Sequence, residues 1–89
     1  MILGKVIGNV VSTQKDERLT GNKLLIVQPI NSKEEPEGSC FVATDIVGAG
    51  VNEIVLVVKG SSARHVDENK ASISDAAIVG IVDYIERKD

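Results

Sequence analysis

Aliphatic residues fall in this chain in five short clusters, the signal of strands. The longest unbroken runs span residues 24–27, 54–58 and 76–79, and the clusters are bounded by polar or Gly/Pro-rich stretches, the punctuation of an all-β domain. The apolar fraction is 43% while aromatics make up 2%, so the core material is Val, Ile, Leu and Ala, and β-branched residues favour the pleated sheet. The pattern predicts strands over residues 2–13, 23–31, 39–45, 53–59 and 76–87. "QKDERLTGN" and "SKEEPEG" are read as exposed charged loops. "GSSARHVDENK" offers Ser61 and Ser62 as helix caps and enough sequence for about one or two helical turns. The whole chain, residues 1–89, reads as one domain.

The strand patterns add a second constraint. In the first strand Ile2, Val6 and Val10 alternate with Leu3, Ile7 and Val11. The last strand does the same, with Ile78, Val82 and Tyr84 on one side and Ala77, Val79, Ile81 and Ile85 on the other. A sheet with one wet face alternates apolar with polar; here both faces are half apolar, and 89 residues leave no second layer to cover the outside. Either further copies of the chain cover it, or the strands curl into a tight barrel buried on both sides.

Several functions are disfavoured by the same residues. The formal net charge is -3, the wrong sign for tracking a phosphate backbone. With Phe41 and Tyr84 as the only aromatics, stacking platforms for single strands are scarce. No apolar run approaches the roughly 18 residues of a membrane-spanning helix, and the first residues lack the pattern of a secretory leader, so a cytoplasmic location is expected. Cys40 and His65 are the only members of their types, which rules out a multi-His or Cys zinc cluster. Cys40 is expected to be a small buried hydrophobe at a strand start and His65 a solvated turn residue, rather than a nucleophile and its base. Glu34, Glu35, Asp67 and Glu68 sit in polar loops with nothing apolar to raise a carboxyl pKa. No enzyme, cofactor or metal is implied.

"DIVGAGVNEIVLVVKGSSAR", residues 45–64, poses the sharpest question. Gly48-Ala49-Gly50 resembles the start of a dinucleotide fingerprint, but Glu53 stands where the third glycine belongs and a strand follows instead of a helix. Its carboxylate would repel a phosphate. A structural turn between the third and fourth strands is the better reading, with Gly48 and Gly50 supplying left-handed backbone or close approach.

Five strands with a short helical piece between the last two predict a small OB-like β-barrel. In order and spacing, "GKVIGNVVSTQKDERLTGNKLLIVQPI", the 45–64 block and "DAAIVGIVDYI" resemble the EutN/CcmL family of bacterial microcompartment vertex proteins across nearly the full chain. That resemblance implies a structural, non-enzymatic shell protein: a homopentamer at the vertices of a polyhedral shell, alongside hexameric shell proteins. It implies that Asp45, Gly48, Ala49, Gly50 and Glu53 shape a turn near the fivefold axis and its subunit contacts. Ser61, Ser62 and Arg64 become a polar turn for subunit or shell contacts, and Gln28 a hydrogen-bonding residue across the barrel. For each of these residues a role wholly within one subunit is the alternative. The chain stops soon after the last strand, whereas carboxysomal relatives extend further, which suggests a metabolosome of the ethanolamine, propanediol or related type. The alternative function is an oligomeric OB-like barrel that binds single-stranded nucleic acid or another small ligand.

Overall fold

A computed structural model of the chain describes residues 1–11, 23–60 and 75–88. Its strands are β1 (Ile2–Val10), β2 (Lys23–Pro29), β3 (Phe41–Asp45), β4 (Ile54–Lys59) and β5 (Ala76–Val82). They close into one barrel in the order β1-β2-β3-β5-β4, with β4 returning to β1. Every pairing is antiparallel except β3 with β5, the strand order of an OB-like barrel. The helical turn expected between the last two strands lies outside the described residues.

Val6, Leu25, Val27, Ala43, Val55, Val57, Ala76 and Ile78 fill the interior, and Ile2 and Phe41 pack against them. Gly4 faces the same interior and is buried, because a Cβ there would run into Val27 Cγ1 and come within 3.3 Å of the Gln28 carbonyl oxygen. Glycine at that position lets β1 and β2 close tightly around a small core. At one end of the barrel the Lys59 ammonium lies over the Phe41 ring, 3.9 Å from its centroid, a cation–π contact.

Two bulges correct the strict alternation expected from the sequence. On β1 the register with β2 shifts between Val6 and Gly8, leaving Ile7 as the extra residue. Val6 therefore pairs with the buried Val27, but Val10 pairs with Leu24, whose neighbour Leu25 takes the inward place. On the β4–β5 ladder, Val57 pairs with Ile78 while Leu56 pairs with Gly80, so Val79 is extra. Ile78 and Ile81 are then the register partners of Val57 and Val55, and Val82 pairs with Ile54; Ile78 is buried in the core, whereas Ile81, near the end of the strand, is exposed. A bulge inserts one residue and reverses every side chain beyond it. β5 also ends at Val82, five residues before the expected end, so Tyr84 and Ile85 are not on the strand.

The outer surface is rich in aliphatic side chains. Ile7, Val42, Ile46, Val47, Val51 and Ile81 are all exposed, as is Tyr84. The barrel closes and hides its interior within one copy of the chain but leaves this outer set open, so it is not buried on both sides.

Candidate functional site: the turn at the barrel mouth

The turn between β3 and β4 stoppers the end of the barrel opposite Phe41. Ala49 is completely buried and belongs to the core cluster, so its methyl group enters the mouth while the glycines on either side let the chain dip in and out. Gly48 does this with a left-handed backbone, φ +81°, which β-carbon-bearing residues adopt at a cost. Gly50 is not left-handed; there the requirement is proximity, since a Cβ would meet Glu53 Oε1 at 3.4 Å. The left-handed residue on the far side is Asn52, φ +75°, a residue type that tolerates that region.

Each carboxylate of the segment is used within the subunit. Asp45 Oδ1 accepts a hydrogen bond from the Val47 N–H at 3.0 Å, the Asx-turn that starts the bend. Glu53 Oε1 accepts from the Gly50 N–H at 2.6 Å, a charge-assisted bond that closes it. The backbone then zips onto β1, with Asn52 N–H donating to the Val6 carbonyl at 2.8 Å and Val6 N–H donating to the Glu53 carbonyl at 2.9 Å. These bonds continue the β1–β4 ladder past its last strand rung, Lys5 with Ile54.

Lys23 ties the turn from the other side. Its ammonium donates to the Ala49 carbonyl at 2.7 Å and lies 3.5 Å from Asp45 Oδ2. Asp45 Oδ2 is buried without a hydrogen-bond partner; the lysine contact is long and ionic, because the ammonium spends its short bond on the carbonyl. Lys23 and Asp45 are register partners on β2 and β3, which is what brings the charge to the mouth. Neither Lys23 nor Asn52 is among the residues singled out in the sequence. Asn52 carried a local signal, a turn-forming residue just before a strand; Lys23 carried none, being 26 residues from Ala49.

Gln28 works at a different place. Its Nε2 donates to the carbonyls of Pro29 at 2.8 Å and Gly38 at 3.1 Å, and its Oε1 accepts from Cys40 Sγ at 3.1 Å. These bonds brace the β2–β3 connection rather than spanning the barrel. The thiol expected to be buried is exposed: β3 begins one residue later, at Phe41, so Cys40 belongs to the connection and not to the strand. That connection is an organised hairpin. Asn31 Oδ1 accepts from the Lys33 and Glu35 amides at 2.8 and 3.1 Å, and Ile30 bridges to Pro36. Ser61, Ser62, Arg64 and His65 lie outside the described residues. Among the described residues no group of three His, Cys, Asp or Glu side chains is placed to hold a metal ion.

The result is a class of protein: a closed OB-like barrel, stoppered by its own turn, with chemistry spent on architecture and an aliphatic exterior. Residues 1–83 match the family described as "Ethanolamine utilisation protein EutN/carboxysome". The chain is 56% identical over 86 residues to the bacterial microcompartment shell vertex protein GrpN of Rhodospirillum rubrum, covering 97% of each. It is 51% identical over 85 residues to the carboxysome shell vertex protein CcmL of Synechocystis, covering 96% of this chain and 85% of that one. With the shell vertex protein PduN of Salmonella typhimurium it shares 49% identity over 89 residues, covering 96% and 98%. Among solved structures, the GrpN pentameric microcompartment shell protein from Rhodospirillum rubrum superposes with a TM-score of 0.88 at 55% identity, covering all of both chains. The pentameric shell protein MSM0273 from the RMM microcompartment gives 0.83 at 31% identity, covering 100% and 98%. The chain belongs to the EutN/CcmL family of microcompartment shell vertex proteins, and it is a structural shell component rather than an enzyme.

Proposed function

We propose that the chain assembles as a homopentamer that caps the vertices of a bacterial microcompartment shell in the cytoplasm, where its rim meets hexameric shell proteins. The observation that carries this reading is the match over all of both chains to a pentameric relative at 55% identity. The exposed aliphatic residues supply the physical motive, since soluble chains rarely leave such surface open, and a ring buries it by repeating one heterologous contact. Flat hexagonal sheets need pentagons in order to close, so five copies around an axis give the chain a geometric role.

In this reading Asp45, Gly48, Ala49, Gly50 and Glu53 act on assembly by shaping the turn from within, while the side chains offered to a neighbour are those of Ile46, Val47 and Val51. Ser61, Ser62 and Arg64 provide polar contacts to a neighbouring subunit or shell protein. The compartment is a metabolosome rather than a carboxysome. Relatives of that type are the shell vertex proteins PduN and EutN of Salmonella typhimurium, at 49% and 42% identity, while the Synechocystis carboxysome protein stands at 51%.

Sedimentation of the purified chain tests the ring, with five copies expected; a stable monomer at high concentration rejects it. Co-expression with hexameric shell proteins should yield closed polyhedra that become open or elongated when this chain is left out. Shells pulled down through a tag on the chain should carry ethanolamine- or propanediol-type enzymes, and carboxysomal enzymes in that fraction would overturn the metabolosome assignment.

A further inference from the structure

Lys23 holds two points of the turn at once. One ammonium reaches the Ala49 carbonyl at 2.7 Å and the Asp45 carboxylate at 3.5 Å, so both arms of the bend are fastened to a single position on β2. The far side of the turn is held to β1 by the Asn52 and Glu53 bonds to Val6, but the 45–50 arm has little besides the lysine to keep it seated. Its only side chain in the core is the Ala49 methyl, a small anchor, and the space where a Gly48 side chain would stand is empty to 4 Å.

The charges make the lysine hard to replace. The Asp45 side chain is 1% exposed and its Oδ2 lacks any hydrogen bond; among the described residues Lys23 forms its ion pair. A buried carboxylate without a counter-charge is strongly unfavourable. The lysine side chain is itself 57% exposed, so its stem lies along the surface and the charge reaches in from the water side. The barrel ladders do not depend on it, because β2 pairs with β1 and β3 through backbone groups.

We propose that Lys23 is a positioning residue for assembly: a tethered cation that bolts the 45–50 turn into the barrel mouth, so that the next copy in the ring meets a rigid apolar rim of Ile46, Val47 and Val51. The proposal rests on the homopentamer reading above. Without the bolt the barrel persists, the turn lifts out, and the rim no longer presents one shape. The rim itself carries no charge between residues 46 and 52, so its fit to a neighbour depends on shape, and shape is what a loose turn loses.

The test compares wild type, Lys23→Arg, Lys23→Met and the double variant Lys23→Met/Asp45→Asn, all as the full chain. Hydrogen exchange is followed at the Val47, Gly50 and Asn52 amides and, as internal controls, at Leu25, Val27 and Val57; assembly is followed by sedimentation velocity. In Lys23→Met the turn amides should exchange at least about tenfold faster, the controls should not change, and the ring should dissociate at concentrations where wild type is intact. Lys23→Arg should keep the ring. The double variant should recover thermal stability, because no uncompensated charge remains, yet still fail to form rings, because the bond to the Ala49 carbonyl is missing. Protected turn amides in Lys23→Met, intact rings despite a loosened turn, or rings restored in the double variant each overturn the proposal. If Lys23→Met does not fold, the double variant carries the comparison. A wild-type chain that never forms rings rejects the pentamer reading and the assembly role together, and the exchange rates then judge the bolt alone.

Discussion

Gly4 and Gly8 look alike in the sequence, four residues apart on one strand, and the structure gives them opposite jobs. Gly4 faces inward against Val27, which is stiff and fully buried. Gly4→Ala should therefore destabilise the barrel by about 1–3 kcal/mol, the usual cost of overpacking, seen as a lower midpoint in urea unfolding. Gly8 lies beyond the bulge, with Ile26 Cδ1 at 3.5 Å from an added Cβ, an ordinary contact. Gly8→Ala should be neutral or stabilising by up to about 1 kcal/mol, since alanine restricts the unfolded chain. Gly48→Ala tests backbone conformation alone: there is room for the methyl but φ is +81°, so a loss of about 1–2 kcal/mol is expected. A measured loss near zero would show that the turn can relax without leaving the mouth.

Among the elements, the β2–β3 connection behaves as a braced hairpin because Gln28 links its two ends. Gln28→Ala removes the bonds to Pro29, Gly38 and Cys40, and because the connection stays wet the cost should be about 0.5–1.5 kcal/mol. The sharper readout is local. Limited proteolysis within residues 31–40 should speed up in Gln28→Ala while the strands remain resistant; unchanged cleavage would mean that Asn31 and the Ile30–Pro36 bridge hold the hairpin unaided. In the native protein the exposed Cys40 should react with a thiol reagent to completion without denaturant. The five strands were legible in the sequence because each apolar run is short and bounded. Their facing was not, since a bulge is a one-residue event in the hydrogen-bond register, and Ile7 and Val79 look like any other strand residue when read along the chain. The same reason explains Cys40: whether a residue opens a strand or closes a loop is decided by its partner strand.

For the whole molecule, the aliphatic exterior and the stoppered mouth make one expectation measurable on the assembled state. Val47→Asp and Val51→Asp place a charge on the exposed rim, at side chains 38% and 46% exposed in the single chain. Unfolding free energy of the isolated subunit should move by no more than about 0.5 kcal/mol, while sedimentation should show loss of the ring, because a charge buried at an interface without a partner is costly. Rings that survive both substitutions would remove the turn from the subunit contact. By itself the sequence determined the class of the protein. Short β-branched runs with hardly an aromatic among them mark a small all-β domain, and the resemblance carried chiefly by the 45–64 block points to the family. What only the tertiary structure decided is how the Gly-Ala-Gly turn is held. Lys23 is far from Ala49 along the chain, and a single charge among ten basic residues carries no mark of its use until β2 and β3 pair and set it beside a buried carboxylate. Local pattern records which conformations a segment prefers; contacts between distant segments depend on register, and register exists only once the barrel has closed.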